Sequence, residues 1–296
     1  MSFSWTSPDQ YGPKELLIGS TGSGKTHALR TLIDAGQIVL GIFTEPGMEV
    51  VGDIPCDKGM HFAYVQPAAM SWKEMEEAAK LINTMSNDGL QKLGGINKEK
   101  YRQWFDVLAK MNNFVCDRCK KSFGDVAELG PNHTVFNDSL SGLCLMSSNL
   151  VTGAKPIKTQ PDWGVMMDNV ERYIQLFCTG IKTMAVMTAH IEREVDEVSG
   201  GTQIMAGSLG RKLSPKLPRF FSDVIIAKRD GTKFTWSTAQ PNTDLKARNL
   251  IIGENILPTF KPIVEKWHKR IGFTSTGSVG APPSETSSSP SLAKST

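Results

Sequence analysis

Of everything in the chain, the segment "LLIGSTGSGKTHALRTLIDAG" at residues 16–36 most restricts the fold. Inside it, "GSTGSGKT" satisfies G-x-x-x-x-G-K-[ST], with Gly19, Gly24, Lys25 and Thr26 at the fixed positions. Glycines let the backbone curl until several N–H groups converge on one anion, and the helix that follows adds its positive end. The candidate ATP-binding residues are therefore Gly19, Ser20, Thr21, Gly22, Ser23, Gly24, Lys25, Thr26 and His27. Lys25 supplies a point charge for the outer phosphates and Thr26 a hydroxyl for Mg²⁺.

The surrounding pattern suits such a loop. "ELLIG" reads as a short buried strand, "HALRTLIDAG" as a helix with Leu29, Leu32 and Ile33 on one side and Gly36 past its end, and "QIVLGIF" as a second strand. Strand, tight loop, helix and strand make a βαβ unit, the building block of a parallel sheet. "HFAYVQP" continues as a third strand. "SWKEMEEAAKLINTM" follows as a helix with Ser71 as N-cap and Glu74 placed for a capping box. Residues 89–130 are polar and irregular and read as an insertion. "TVFND" and "TMAVMTAH" are strands around the helical "DWGVMMDNVERYIQLFCTG", and "FSDVIIAKRDGTKFTWSTAQ" reads as a hairpin turning at Asp230 and Gly231. The fold expected is α/β: a P-loop NTPase core with a mainly parallel sheet between helices. It occupies residues 1–273, and the Ser/Thr/Pro/Gly-rich tail at 274–296 is expected to be disordered because it cannot offset its own ordering entropy.

Two carboxylates complete the candidate chemistry. Asp138, at the end of "TVFND", can hold Mg²⁺, and Glu45, just past the second strand, can polarise the attacking water. Polar residues at the carboxyl ends of parallel strands converge on one crevice.

Charge is unevenly spread. The chain carries +3 overall, but residues 211–270 hold thirteen Lys/Arg against five Asp/Glu, an imbalance that suits a polyanion or a solvated basic face. No apolar run approaches the length of a membrane helix and "MSFSWTSPDQ" lacks signal-peptide order, which predicts a cytoplasmic protein with no membrane partner. Five cysteines, an odd number thinly spread, fit reduced thiols better than disulfides. Cys116 and Cys119 in "FVCDRCKKSFG" have the spacing of half a zinc knuckle. No second C-x-x-C follows, so two free thiols are the simpler reading; Cys56, His61 or His133 could complete a zinc site only if the fold brings them together.

A P-loop, a Glu after the next strand, "DSLSGL" after a later one, a helix and a strand ending "TAH" resemble the RecA-type recombinase core. Within that superfamily the chain most resembles the small phage-encoded ATPases associated with single-strand annealing recombination, over about residues 14–250. The resemblance implies Glu45 as general base, Asp138 as Walker B acid, and His190 as the residue that senses the γ-phosphate and relays to DNA. It makes "EVSGGTQIMAGSLGRKLSPKLPR" the mobile second DNA-binding loop and "NLVTGAKPIKTQ" the first, with Lys155, Lys158, Arg211, Lys212, Lys216 and Arg219 to follow a phosphate backbone. Lys246 and Arg248 would reach into a neighbour's ATP site in a homo-oligomer. The N-terminal polymerisation domain of many recombinases has no counterpart in the dozen residues before the first strand.

The implied function is a Mg²⁺-dependent ATPase that binds single-stranded DNA and assists phage recombination or annealing in the host cytoplasm, beside a single-strand-binding or annealing protein. A DNA-translocating motor of packaging or helicase type, and an ATP-switched assembly module with incidental turnover, are the alternatives.

Overall fold

A computed structural model describes residues 3–93, 98–195 and 201–274. The tail expected to be disordered falls, from residue 275, outside the described residues.

The first strand, β1 (Lys14–Gly19), is fully buried and ends in the glycine-rich loop. A short 3₁₀ turn and α1 (Arg30–Asp34) bury Leu29 and Leu32, and Gly36 follows at a φ of 81°, a conformation that favours glycine. Next come β2 (Ile38–Phe43), β3 (Met60–Tyr64) and α2 (Trp72–Thr84). In α2 the Ser71 side chain accepts from the Glu74 N–H while Glu74 accepts from the Ser71 N–H, the reciprocal cap that the sequence predicts.

The segment read as an irregular insertion carries α3 (Asn87–Lys92), α4 (Gln103–Asn112) and a small hairpin of β4 (Phe114–Val115) and β5 (Ser122–Gly124). The chain returns to the sheet as β6 (His133–Asp138), then α5 (Leu140–Thr152) and α6 (Gln160–Thr179), and re-enters as β7 (Met184–Val195). The remaining elements are β8 (Thr202–Ala206), α7 (Gly210–Leu213), β9 (Asp223–Asp230), β10 (Lys233–Ser237) and α8 (Lys261–Ile271).

The strands order as β10-β9-β1-β7-β6-β2-β3, parallel except for the β9–β10 hairpin, with β8 antiparallel to the far half of β7. Alternation along the strands sends one set of side chains to each face. Leu16, Ile18, Leu40, Val135 and Met187 pack under α4, α5 and α6, while Leu17, Val39, Phe136, Val186 and Ile225 pack under α1 and α8. The result is an α/β fold with a mainly parallel central sheet between two helical layers. No helix among the described residues is long and apolar enough to cross a membrane.

Two expectations change. The strand ending at His190 runs on to Val195 and pairs with β8, so the glycine-rich segment after it is largely a hairpin followed by helix and 3₁₀ turn instead of a mobile loop. Residues 197–200 of that segment lie outside the described residues. In the β9–β10 hairpin Asp230 pairs with Lys233, which leaves Gly231 and Thr232 as the turn; register with the buried Trp236 sets this one-residue difference.

Candidate functional site

The site lies where β1, β6 and β2 end beside His190 of the longer β7. Register places Gly19 opposite His190 across β1 and β7, and Asp138 opposite Phe43 across β6 and β2, one residue before Thr44 and Glu45. The sheet itself thus gathers residues that lie far apart in the chain.

The loop closes tightly over the end of β1. Gly22 and Gly24 adopt φ values of 75° and 86°, and a Cβ on Gly19 would sit 2.7 Å from the Ala227 carbonyl oxygen. Lys25 folds back, its Nζ donating to the carbonyls of Gly19 at 2.8 Å and Ser20 at 3.0 Å. Burial lowers its pKa, opposed by the carboxylates of Asp138 and Glu45.

Thr26 Oγ1 donates to Asp138 Oδ2 at 2.5 Å, and Thr188 Oγ1, from the intervening β7, donates to the other carboxylate oxygen at 2.5 Å. Burial pushes the Asp138 carboxyl up, against the pull of these hydroxyls and of Lys25. Two oxygen ligands meeting beside a lysine fit a hard divalent cation, and Thr26 and Asp138 would hold Mg²⁺ there.

Glu45 is held from two sides. Its Oε2 accepts from Ser139 Oγ at 2.6 Å and from His190 Nε2 at 3.3 Å. Burial pushes the Glu45 carboxyl up, but the hydrogen bonds from His190 and Ser139 outweigh it and hold the group below the ordinary carboxylate range. Both donors reach the same oxygen, Oε2.

The backbone behind Glu45 is clamped as well. Thr44 N donates to the Asp138 carbonyl at 2.6 Å, and Thr44 Oγ1 both accepts from Ser139 N and donates to Ser139 O, each at 2.9 Å. Helix α5 can approach this closely because Gly142 has no side chain; a Cβ there would lie 2.6 Å from the Thr44 carbonyl oxygen.

Lys25, Thr26, Glu45, Asp138 and His190 line a cleft of about 660 Å³, bounded also by His27, Pro46, Gly47, Val50, Phe234 and Pro258. Sequence reasoning missed Phe234. Its ring touches Gly24 and carries the Arg229 guanidinium 5.4 Å from its centre, yet it stays 41% exposed at the mouth of the cleft. Its place on the same face as the buried Trp236, two residues on in the alternation of "KFTWS", is the signal that could have found it.

The basic candidates lie apart from this cleft. Lys155 is mostly buried and paired with Asp162 at 3.0 Å, and Lys216 and Arg219 both bind Glu171 of α6 at 2.9 and 2.7 Å. Lys158 sits over the Trp163 ring and Lys212 is exposed; the side chain of Arg211 is outside what is described. Three of the six expected phosphate contacts are therefore engaged with carboxylates of the same chain. Lys246 donates to the Phe221 carbonyl of its own chain at 2.6 Å, and Arg248 is exposed.

A second cluster lies where the insertion meets β3 and the turn before it. Cys56, His61, Cys116 and Cys119 place one potential ligand atom each within 4.8 Å of the others, whereas His133 stands outside the group.

No family model and no curated protein matches the chain. Among solved structures, it is similar to the pCW3 conjugation coupling protein TcpA, in its monomer form with ATPγS. The identity is 12% and the TM-score 0.33, over 88% of this chain and 66% of that one, so the chain spans just under two thirds of the neighbour's length. A likeness this distant adds nothing to what the geometry of the cleft itself says.

Proposed function

We propose that the chain is a P-loop ATPase whose hydrolytic water is positioned by Glu45. The observation that carries this reading is the convergence, in one cleft, of the Gly19–Thr26 loop with Lys25, the Thr26–Asp138 pair, and Glu45 held by Ser139 and His190.

Bound phosphates would take the place of the Gly19 and Ser20 carbonyls as partners of the Lys25 ammonium, with the loop N–H groups around them. Mg²⁺, held by Thr26 and Asp138, supplies neutralisation of phosphate charge. Glu45 Oε1 accepts a hydrogen bond from water and takes its proton as the water oxygen bonds to the γ-phosphorus. The bond to the bridging β–γ oxygen breaks, and ADP and inorganic phosphate leave. Phe234 and Pro258 offer an apolar mouth on which the adenine would lie.

We further propose that the nucleic-acid partner is single-stranded DNA and that the enzyme assists recombination or annealing, as a homo-oligomer. What supports this is the basic imbalance of residues 211–270 and the attachment of their first elements to the β7–β8 hairpin that continues from His190. Lys158, Lys212 and Arg248 are the cations to test first.

The test is phosphate release by the purified chain with and without single-stranded DNA, beside Lys25→Ala. The expected result is Mg²⁺-dependent release, lost in the variant and stimulated by DNA. Normal turnover in Lys25→Ala would remove the catalytic reading, and no DNA binding at low salt would remove the second proposal while leaving the first.

A further inference from the structure

The four side chains at the base of the insertion come from three separate places. Cys56 opens a 3₁₀ turn at the end of the β2–β3 connection, His61 lies in β3, and Cys116 and Cys119 flank the turn of the β4–β5 hairpin. We propose that they form a tetrahedral Cys₃His zinc site, with His61 binding through Nδ1.

Distance is the first argument. Zinc bonds of about 2.3 Å to sulfur and about 2.05 Å to nitrogen, at tetrahedral angles, require ligand atoms about 3.8 Å apart for two sulfurs and about 3.6 Å for sulfur and nitrogen. Cys56 Sγ lies 3.9 Å from Cys116 Sγ, and Cys119 Sγ lies 3.4 Å from His61 Nδ1. All four atoms lie within 4.8 Å of one another, so one small ion reaches them all.

The second argument is the loop that carries the C-x-x-C. Lys120 adopts a φ of 61°, its N–H closes on the Cys116 carbonyl at 3.0 Å, and Cys116 N returns to the Lys121 carbonyl at 3.0 Å. The tight turn brings Cys119 back beside Cys116, so that both sulfurs meet Cys56 and His61.

Charge is the third. Three thiolates, a neutral imidazole and Zn²⁺ sum to one negative charge, and the six-residue stretch 116–121 adds Arg118, Lys120 and Lys121 against one acid, Asp117, which is paired with Lys110. Arg118 also donates to the carbonyls of Ile54 at 2.7 Å and Gly52 at 3.2 Å. The metal would thus fasten the insertion to the far end of the connection that begins at Glu45.

The experiment is elemental analysis of the full-length protein, purified without chelator from zinc-supplemented medium, followed by cobalt titration of metal-stripped protein. About one zinc per chain is expected, with the visible bands of tetrahedral cobalt–thiolate on titration. Cys119→Ser, at the exposed ligand, should lower metal content at least tenfold, and Cys144→Ser, buried elsewhere, should leave it unchanged. Folded wild-type protein that carries no metal and binds no cobalt overturns the proposal, as does a Cys56–Cys116 disulfide, or a folded Cys119→Ser that keeps its zinc. The wild-type measurements decide even if a variant fails to fold, and none of them depends on ATP turnover.

Discussion

Ser139 Oγ donates to Glu45 Oε2 at 2.6 Å, so the residue after the candidate magnesium ligand fixes the candidate base. One strand end therefore positions both candidate carboxylates, Asp138 and Glu45. Glu45→Gln should lower phosphate release about 100-fold or more while leaving ATP affinity nearly unchanged. Ser139→Ala, which removes one of two donors, should cost on the order of tenfold. Phosphate release at saturating ATP, with fluorescent-nucleotide binding alongside, checks both; a Glu45→Gln enzyme with wild-type turnover would assign the water to another group.

Phe234→Ala should weaken ATP binding by about 1 kcal/mol, roughly fivefold, by removing the ring at the mouth of the cleft. Competition by inorganic tripolyphosphate separates two roles. If tripolyphosphate binds the variant as well as it binds wild type, the ring acts on the base; an equal loss for both ligands would mean that it acts by shaping the loop at Gly24.

Gly142→Ala should destabilise the fold by about 1–3 kcal/mol, because the added methyl meets Thr44 Oγ1, which is tied to Ser139, and the Cβ and carbonyl oxygen of the same residue. Urea midpoints measure the loss. The displacement of Thr44 also moves Glu45, so turnover should fall further than the fraction unfolded accounts for, and an unaltered midpoint would contradict the close packing of α5 on β2.

Glu15 offers a pH test. It is fully buried on β1 opposite Asp223 of β9, and burial first, then the Asp223 carboxylate, push its carboxyl well above the ordinary 4.5. The folded chain keeps a proton that the unfolded chain releases above about 4.5, so this stability is present at low pH and lost as pH rises toward the folded pKa. Glu15→Gln titrates no proton there. Its stability relative to wild type should grow with pH above 4.5, with a slope approaching about 1.4 kcal/mol per pH unit, in urea melts across pH 4–8. Parallel curves would show that Glu15 is ionised in the fold.

What was legible in the sequence was local or periodic. The glycine loop, the Ser71–Glu74 cap and the strands leading to Asp138 and His190 each announce themselves within a few residues. The resemblance, too, rests on their order along the chain. What escaped depends on separation. Cys56 and Cys116 are 60 residues apart and meet only because β3 and the β4–β5 hairpin share one edge. Lys155 and Lys216 look free in a sequence, but α6 brings Asp162 and Glu171 to them, and charge counting cannot see an ion pair that folding creates. The β7–β8 hairpin was hidden by its glycines, which suggest flexibility, while the pairing of Glu192 with Met205 and Ile191 with Ala206 makes it regular.

His190 stands where β7 changes partners. Its register neighbour on one side is Gly19 of the phosphate loop, and its carbonyl accepts from Gly207 N at 2.7 Å, where the return strand departs. No turn or break in pairing separates the residue that touches Glu45 from the hairpin beyond it. Any displacement of that imidazole's backbone would meet no joint before the hairpin, because one unbroken strand carries both.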